Sequence, residues 1–241
     1  MTTNSTISHE IAELLRTEIL QQRYRCGDRL PSERDLATRF DASRGAVREG
    51  LSQLEQLGLI QILPGGARVQ AIDAASIAIL GPLMAMDEVP DGPLVDQFLE
   101  TFSALTALTA RSAVEKADAE QMKSLQTMVV SLSEHCGDFA AMQPQWREFL
   151  ELMVSVADNL VVRLISNDLK AQFVEQMLKL EIKPRFDSAE IERFLEALQL
   201  GLAEKNGEAV AAAIQTHFDG IRLAVGDALA MRVDGFRKQA M

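Results

Sequence analysis

Apolar residues recur three and four positions apart at the start of the chain, where Ile7, Ile11, Leu14, Leu15 and Ile19 form one stripe of an opening helix. A shorter helix is predicted after Ser32. Its hydroxyl can cap the first turn, Glu33 and Asp35 sit near the positive end with Asp35 at the capping-box distance, and Leu36, Ala37 and Phe40 supply one apolar side. Ser43 starts another helix at once, with Val47, Leu51 and Leu54 on the inner face and Arg44 and Arg48 on the outer one. Gly58 can end it. Gln61-Ile62-Leu63, Pro64-Gly65-Gly66 and Ala67-Arg68-Val69 then read as strand, turn and return strand. Helix, helix-turn-helix and hairpin together make a winged helix.

Beyond Val69 strand-like alternation disappears. Ile72-Asp73-Ala74-Ala75-Ser76 is expected to open a short helix ending near Met86, and Asp87 to Pro93 is a turn-rich break. Helices are predicted at 93–116, 118–134, 138–156, 159–181, 187–205 and 207–232, with Pro184 separating the fourth from the fifth. The expected fold is mostly α: an N-terminal winged helix-turn-helix followed by an antiparallel all-helical bundle of about six or seven helices. The expected division is a DNA-binding domain over 1–72, a linker with a short helix over 73–92, and an effector-binding and dimerisation domain over 93–241.

Charge supports a division of labour. The net charge of −11 and pI near 4.8 alone argue against nucleic acid. Up to Val69, however, nine Arg and no Lys stand against nine acidic residues, so the remainder carries the whole excess. Arg is the side chain that takes guanine bidentately or clamps phosphate, and Arg44 and Arg48, one turn apart, suit a major groove. Gly45 between them removes bulk where a backbone must approach closely. An acidic body repelled by phosphate calls for geometry, namely two-fold pairing on a palindrome, more than bulk charge.

Other chemistry is sparse. Cys26 and Cys136 are not spaced as a metal or redox pair. His9, His135 and His217 are far apart with no nucleophile arrangement, and no Gly-rich phosphate loop follows a strand, so no enzyme is expected. The polar first residues and the short apolar stretch 74–86 offer neither an export signal nor a membrane span, and a cytoplasmic location is expected.

The run Gly27, Leu30-Pro31-Ser32-Glu33-Arg34, Leu36-Ala37, Ser43-Arg44, Val47-Arg48-Glu49, Leu51, Leu54 and Gly58-Leu59-Ile60 resembles the GntR family of bacterial transcription regulators. The resemblance implies DNA contact by Arg34, by Ser43, Arg44, Gly45 and Arg48 on the recognition helix, and by Gly65 and Gly66 in the wing, where Arg68 is counted with them. Gly45 and Ala46 offer no hydroxyl, so base reading falls mainly to Arg44 and Arg48. The all-helical second part resembles the FadR subfamily, rather than the mixed sensor of the HutC group or the aminotransferase-like domain of the MocR group. Its local anchor is Trp146-Arg147-Glu148-Phe149-Leu150 continuing through Ala157-Asp158-Asn159.

The departures from that subfamily are informative. Many members hold a divalent metal with one Asp and three His, and the metal anchors a carboxylate effector. Here the Asp position resembles Trp146, two His positions resemble Leu150 and Leu195, and only His217 is retained, while an Arg that often receives carboxylate resembles Phe98. One imidazole cannot hold zinc, so no metal and no cofactor are expected. Phe98, Phe102, Trp146, Phe149, Leu150, Leu195 and His217 are instead the expected lining of a pocket for a small hydrophobic effector such as a fatty acid or acyl-CoA.

The implied function is a homodimeric repressor released from double-stranded operator DNA by that effector, with no membrane role. Three alternatives stay open: a small organic acid as effector, a filled bundle serving only dimerisation or protein contact, and an enzyme, which turnover of acyl esters would reveal.

Overall fold

The computed structural model describes residues 2–86, 91–134, 139–179 and 187–239. Much of the expected break at 87–93, together with His135, Cys136 and Pro184, lies outside the described residues. The chain divides into two units, Met1–Glu88 and Val89–Met241.

The first unit opens with α1 (Thr2–Leu20), α2 (Glu33–Arg39) and α3 (Arg44–Gln56), followed by β1 (Ile60–Leu63) and β2 (Gly66–Val69). Ile11, Leu15 and Ile19 from α1, Leu36 from α2, and Val47, Leu51 and Leu54 from α3 are buried together with Leu59, Ile60 and Val69. Leu14, expected in the apolar stripe, lies at the edge of that arc and is 54% exposed. Helices α1 and α3 cross closely at Gly50, where a Cβ would stand 2.9 Å from the Ser8 carbonyl oxygen.

Strands β1 and β2 pair antiparallel, Ile60 opposite Val69 and Leu63 opposite Gly66. Sequence patterning missed a third member of this wing. The stretch Gly27 to Leu30 runs along the outer edge of β2, with Gly27 N–H to Val69 O, Val69 N–H to Asp28 O and Leu30 N–H to Ala67 O, all at 2.9 Å.

The single short helix expected over 72–86 is broken. Two 3₁₀ turns, Ile72–Ala74 and Ile77–Ile79, precede α4 (Leu80–Met84). The cause is local: Ala75 and Ser76 are extended, and the Ser76 hydroxyl accepts from Ala78 N–H to start a new turn. Ser76 N–H also bonds Leu57 O at 2.9 Å, which pins this segment to the end of α3.

The second unit contains α5 (Gly92–Lys116), α6 (Ala119–Ser133), α7 (Phe139–Ala157), α8 (Leu160–Lys179), α9 (Ser188–Ala203) and α10 (Gly207–Gln239). These bounds fall within two residues of those expected, except that α10 continues to Gln239. Asp118 and Gln121 form a reciprocal capping box at the start of α6, and Asp187 caps α9. Helix α5 packs on α7, α8 and α10, and α6 packs on α7 and α9.

Polar pairs fix two of the directions. Asp96 meets Arg222 while Arg111 meets Glu208, so α5 and α10 run antiparallel. Gln126 meets the Leu202 carbonyl while Ser133 meets Gln199, so α6 and α9 do as well. Ala110, Leu125, Val129, Leu132, Phe149, Met153, Leu195 and Leu198 form the centre of the core. The fold is thus an N-terminal winged helix-turn-helix followed by an all-helical bundle.

Candidate DNA-binding surface and bundle cavity

Two caps aim the helix-turn-helix. Ser32 Oγ accepts from Asp35 N–H at 3.3 Å and donates to the Asp35 carboxylate at 2.7 Å. The carboxylate therefore closes on the serine hydroxyl and not on its backbone N–H, which is the partner in a reciprocal box. Ser43 Oγ accepts from Ala46 N–H at 3.1 Å and sets the first turn of α3. Val47, Leu51 and Leu54 then face the core, which leaves Arg44, Gly45 and Arg48 exposed on the opposite side.

The arginines there are not equivalent. Among the described residues Arg34 and Arg44 form no ion pair and are exposed. Arg48 grips Glu33 at the start of α2 with two bonds, Nη2 to Oε2 at 3.0 Å and Nε to Oε1 at 3.3 Å. That hydrogen-bonded fork, helped by the nearby charge of Arg44, holds the Glu33 carboxyl below the usual carboxylate range. Sequence reasoning placed Arg48 on the DNA face but did not see this partner, because no local spacing connects positions 33 and 48.

In the wing, Gly65 has open space around it, and Gly66 has φ +113°, a conformation that favours glycine. The Arg29 guanidinium lies across Gly66, so that a Cβ there would stand 2.9 Å from Arg29 Nε. Arg68 donates to the Gly27 carbonyl at 2.8 Å and so clamps the Gly27 to Leu30 stretch to the wing. Arg29, absent from the expected contact set, stands at the wing tip, whereas Arg68 is engaged within the wing. Behind this surface, Arg39 on α2 bonds Glu18 on α1 and lies 4.8 Å over the Phe40 ring, which ties the two helices together.

The second unit holds a cavity of about 860 Å³ between α5, α7, α8 and α10. Phe98, Phe102, Trp146 and Leu150 line it, joined by Phe218. Phe102 stands at the centre of an aromatic row, 6.0 Å from Phe98 and 5.7 Å from Phe218 between ring centroids. Phe149 and Leu195 are 0% and 2% exposed and belong to the core behind that wall.

His217 opens instead to a second hollow, of about 550 Å³, between α9 and α10. Its ring stacks on Phe194 at 4.0 Å and meets Trp146 edge-on at 6.1 Å. Burial among these rings pushes its pKa down to about 4, so the imidazole is neutral near pH 7. The structure thus divides the seven expected lining residues: four on the larger cavity, two in the core, and His217 on a neighbouring hollow.

A metal does not fit this arrangement. Aromatic or aliphatic carbon occupies positions 146, 150 and 195, and His217 faces aromatic rings. Among the described residues no group of three or more His, Cys, Asp or Glu side chains is placed to share an ion. Cys26 is a free, exposed thiol. No described helix is long and apolar enough to cross a membrane.

Residues 7–69 match the family of bacterial regulatory proteins described as the gntR family. The chain is 29% identical over 155 residues to the HTH-type transcriptional repressor NanR of Enterobacter sp. strain 638, a match covering 64% of this chain and 59% of that protein. It is 28% identical over 208 residues to the fatty acid metabolism regulator protein of Haemophilus influenzae, covering 85% of this chain and 84% of that one. A solved structure reported for Lar, described as controlling expression of the Listeria monocytogenes agr system, superposes with a TM-score of 0.51 at 18% identity, covering 93% of this chain and 97% of that one. That likeness concerns the fold alone. The match to the gntR family of bacterial regulatory proteins is thus carried by the winged helix, residues 7–69, and the two relatives named above are described as a transcriptional repressor and a metabolism regulator.

Proposed function

We propose that this protein is a homodimeric, ligand-responsive repressor of the FadR type, whose winged helix reads operator DNA and whose helical unit takes a fatty-acyl effector. Arg44 and Arg48 are assigned to base edges, Arg34 and the wing to positioning contacts. The observation that carries the effector reading is the cavity of about 860 Å³ walled by Phe98, Phe102, Trp146, Leu150 and Phe218. Cavities of this size and character suit a mostly apolar small molecule. The similarity to a fatty acid metabolism regulator over most of the chain supports the same class.

An effector that favours the arrangement not bound to DNA shifts the population away from the operator. Each buried methylene contributes about 0.8 kcal/mol, so release should strengthen with chain length until the cavity is full. Fluorescence anisotropy of a labelled operator titrated with saturated fatty acids of increasing length tests this. Progressive release supports the reading; a flat response, or release by a short hydroxy acid alone, contradicts it.

A further inference from the structure

The larger cavity is not uniformly apolar. Its α8 wall carries Arg163, Ser166, Asn167 and Lys170, spaced to share one helical face, and α7 adds Arg147 and Glu151 one turn apart. Among the described residues, three cations and one carboxylate therefore line this cavity, in a chain whose net charge is −11.

Two of these cations are held with unfilled bonding capacity. Arg163 Nη2 donates to the Val154 carbonyl at 3.1 Å, which fixes the guanidinium against α7, while its Nε is buried without a hydrogen-bond partner among the described residues. Lys170 forms no ion pair or hydrogen bond among the described residues. Burial lowers its pKa, Glu151 counteracts that, and Arg147 reinforces it. By contrast, two other arginines of the same unit are matched: Arg222 holds Asp96 with two bonds, and Arg111 holds Glu208. A half-buried cation and an unmet guanidinium N–H on one cavity wall are each costly unless a further partner arrives.

We propose that Arg163 and Lys170 receive the carboxylate head of an amphipathic monoanion whose apolar tail lies along Phe98, Phe102 and Leu150. The inference rests on the effector reading of this cavity and adds the head-group anchor. His217, expected in the same lining, opens instead to the neighbouring hollow and takes no part in this anchor. A neutral molecule of equal chain length is held more weakly because it leaves both cations without a counter-charge, and a cationic one is repelled by three like charges.

Trp146 is the only tryptophan and lines this cavity, so its fluorescence reports occupancy without a label. The full chain would be titrated near pH 7 with decanoate, decanol, decylamine and butyrate, each below its aggregation threshold. Decanoate should bind at least about tenfold more tightly than decanol, with no saturable signal from decylamine or butyrate. Lys170→Gln should reduce the decanoate preference to roughly threefold or less while leaving decanol affinity unchanged. Arg163→Gln should act likewise, and Arg163→Lys should restore part of the preference.

Equal affinity for decanoate and decanol in the unaltered chain overturns the inference, as does no signal from any probe. An unchanged preference in both Gln variants overturns it too. The effector reading is judged separately by operator release. Decanoate that binds with head-group preference but leaves DNA bound removes that reading and keeps this one. Release by decanol as effective as by decanoate does the reverse.

Discussion

Acid should loosen the helical unit through His217, and the size of the effect follows from its surroundings. The ring is stacked on Phe194 at 4.0 Å and burial pushes its pKa down to about 4, against an ordinary 6.5. Above pH 6.5 the imidazole is neutral in both folded and unfolded chains and contributes no pH dependence. As pH falls below 6.5 the unfolded chain takes up a proton that the folded chain refuses, so stability is lost progressively until the folded pKa near 4 is passed. Linkage over that interval gives a loss of about 2 kcal/mol by pH 5 and about 3 kcal/mol by pH 4. The perturbation is His217→Phe, which keeps an aromatic ring beside Phe194 and removes the titration. Urea unfolding followed by Trp146 fluorescence at pH 7 and pH 5 reads the helical unit directly. Carboxylates whose pKa is lowered by a partner, such as Asp96 beside Arg222, also lose stability in acid, but equally in both proteins. The unaltered chain should therefore lose about 2 kcal/mol more than the variant between these pH values. Equal losses would refute the reasoning.

On the DNA side, Arg44→Ala and Arg48→Ala should each weaken specific operator binding by about 1–3 kcal/mol, with at least one relaxing base preference; unchanged affinity in both, measured by anisotropy, counts against the assignment. Gly58→Ala should destabilise the winged helix by about 1–3 kcal/mol, because φ is +72° there and the new Cβ would stand 2.8 Å from the Ala74 carbonyl oxygen. Gly45→Ala, with its nearest neighbour at 3.7 Å, should shift stability by less than about 0.5 kcal/mol yet weaken DNA binding; thermal melts and anisotropy separate the two. Purified protein should contain no stoichiometric divalent metal, and chelator should change neither its melting nor its DNA binding; elemental analysis giving about one zinc, nickel or manganese per chain is the opposing result.

The parts of the fold legible in the sequence were those with local signals. Ser32, Ser43 and Asp118 mark helix starts through their own hydroxyl or carboxylate, and Gly58 marks a stop, so these boundaries follow from a few neighbouring residues. The bridging stretch Gly27-Asp28-Arg29-Leu30 carries no alternation and pairs because the edge of β2 offers free backbone groups. The same limit applies to the candidate sites. Arg44, Gly45 and Arg48 follow from periodicity on α3, but the Glu33 partner of Arg48 and the position of Arg29 at Gly66 arise from packing between elements. In the bundle, aromatic positions identified one wall of the cavity. Arg163 and Lys170 carry no local signal of a site, because α8 also exposes Leu160, Val161 and Leu164 and shows no clear apolar side. Phe149 and Leu195 were indistinguishable from Leu150 by residue type, and only the direction in which each packs separates core from cavity wall.

The central claim is that the outer face of α3 reads DNA sequence, and selection from a pool of random duplexes tests it most directly. Full-length protein, its Arg44→Ala variant and its Arg48→Ala variant would each be carried through several rounds at the same salt concentration, because the phosphate contribution varies with salt. The account predicts that the unaltered chain enriches a two-fold symmetric site with guanine at fixed positions in each half, and that the variants lose preference at one of those positions. Absence of an enriched sequence, or the same sequence enriched by all three proteins, would contradict it.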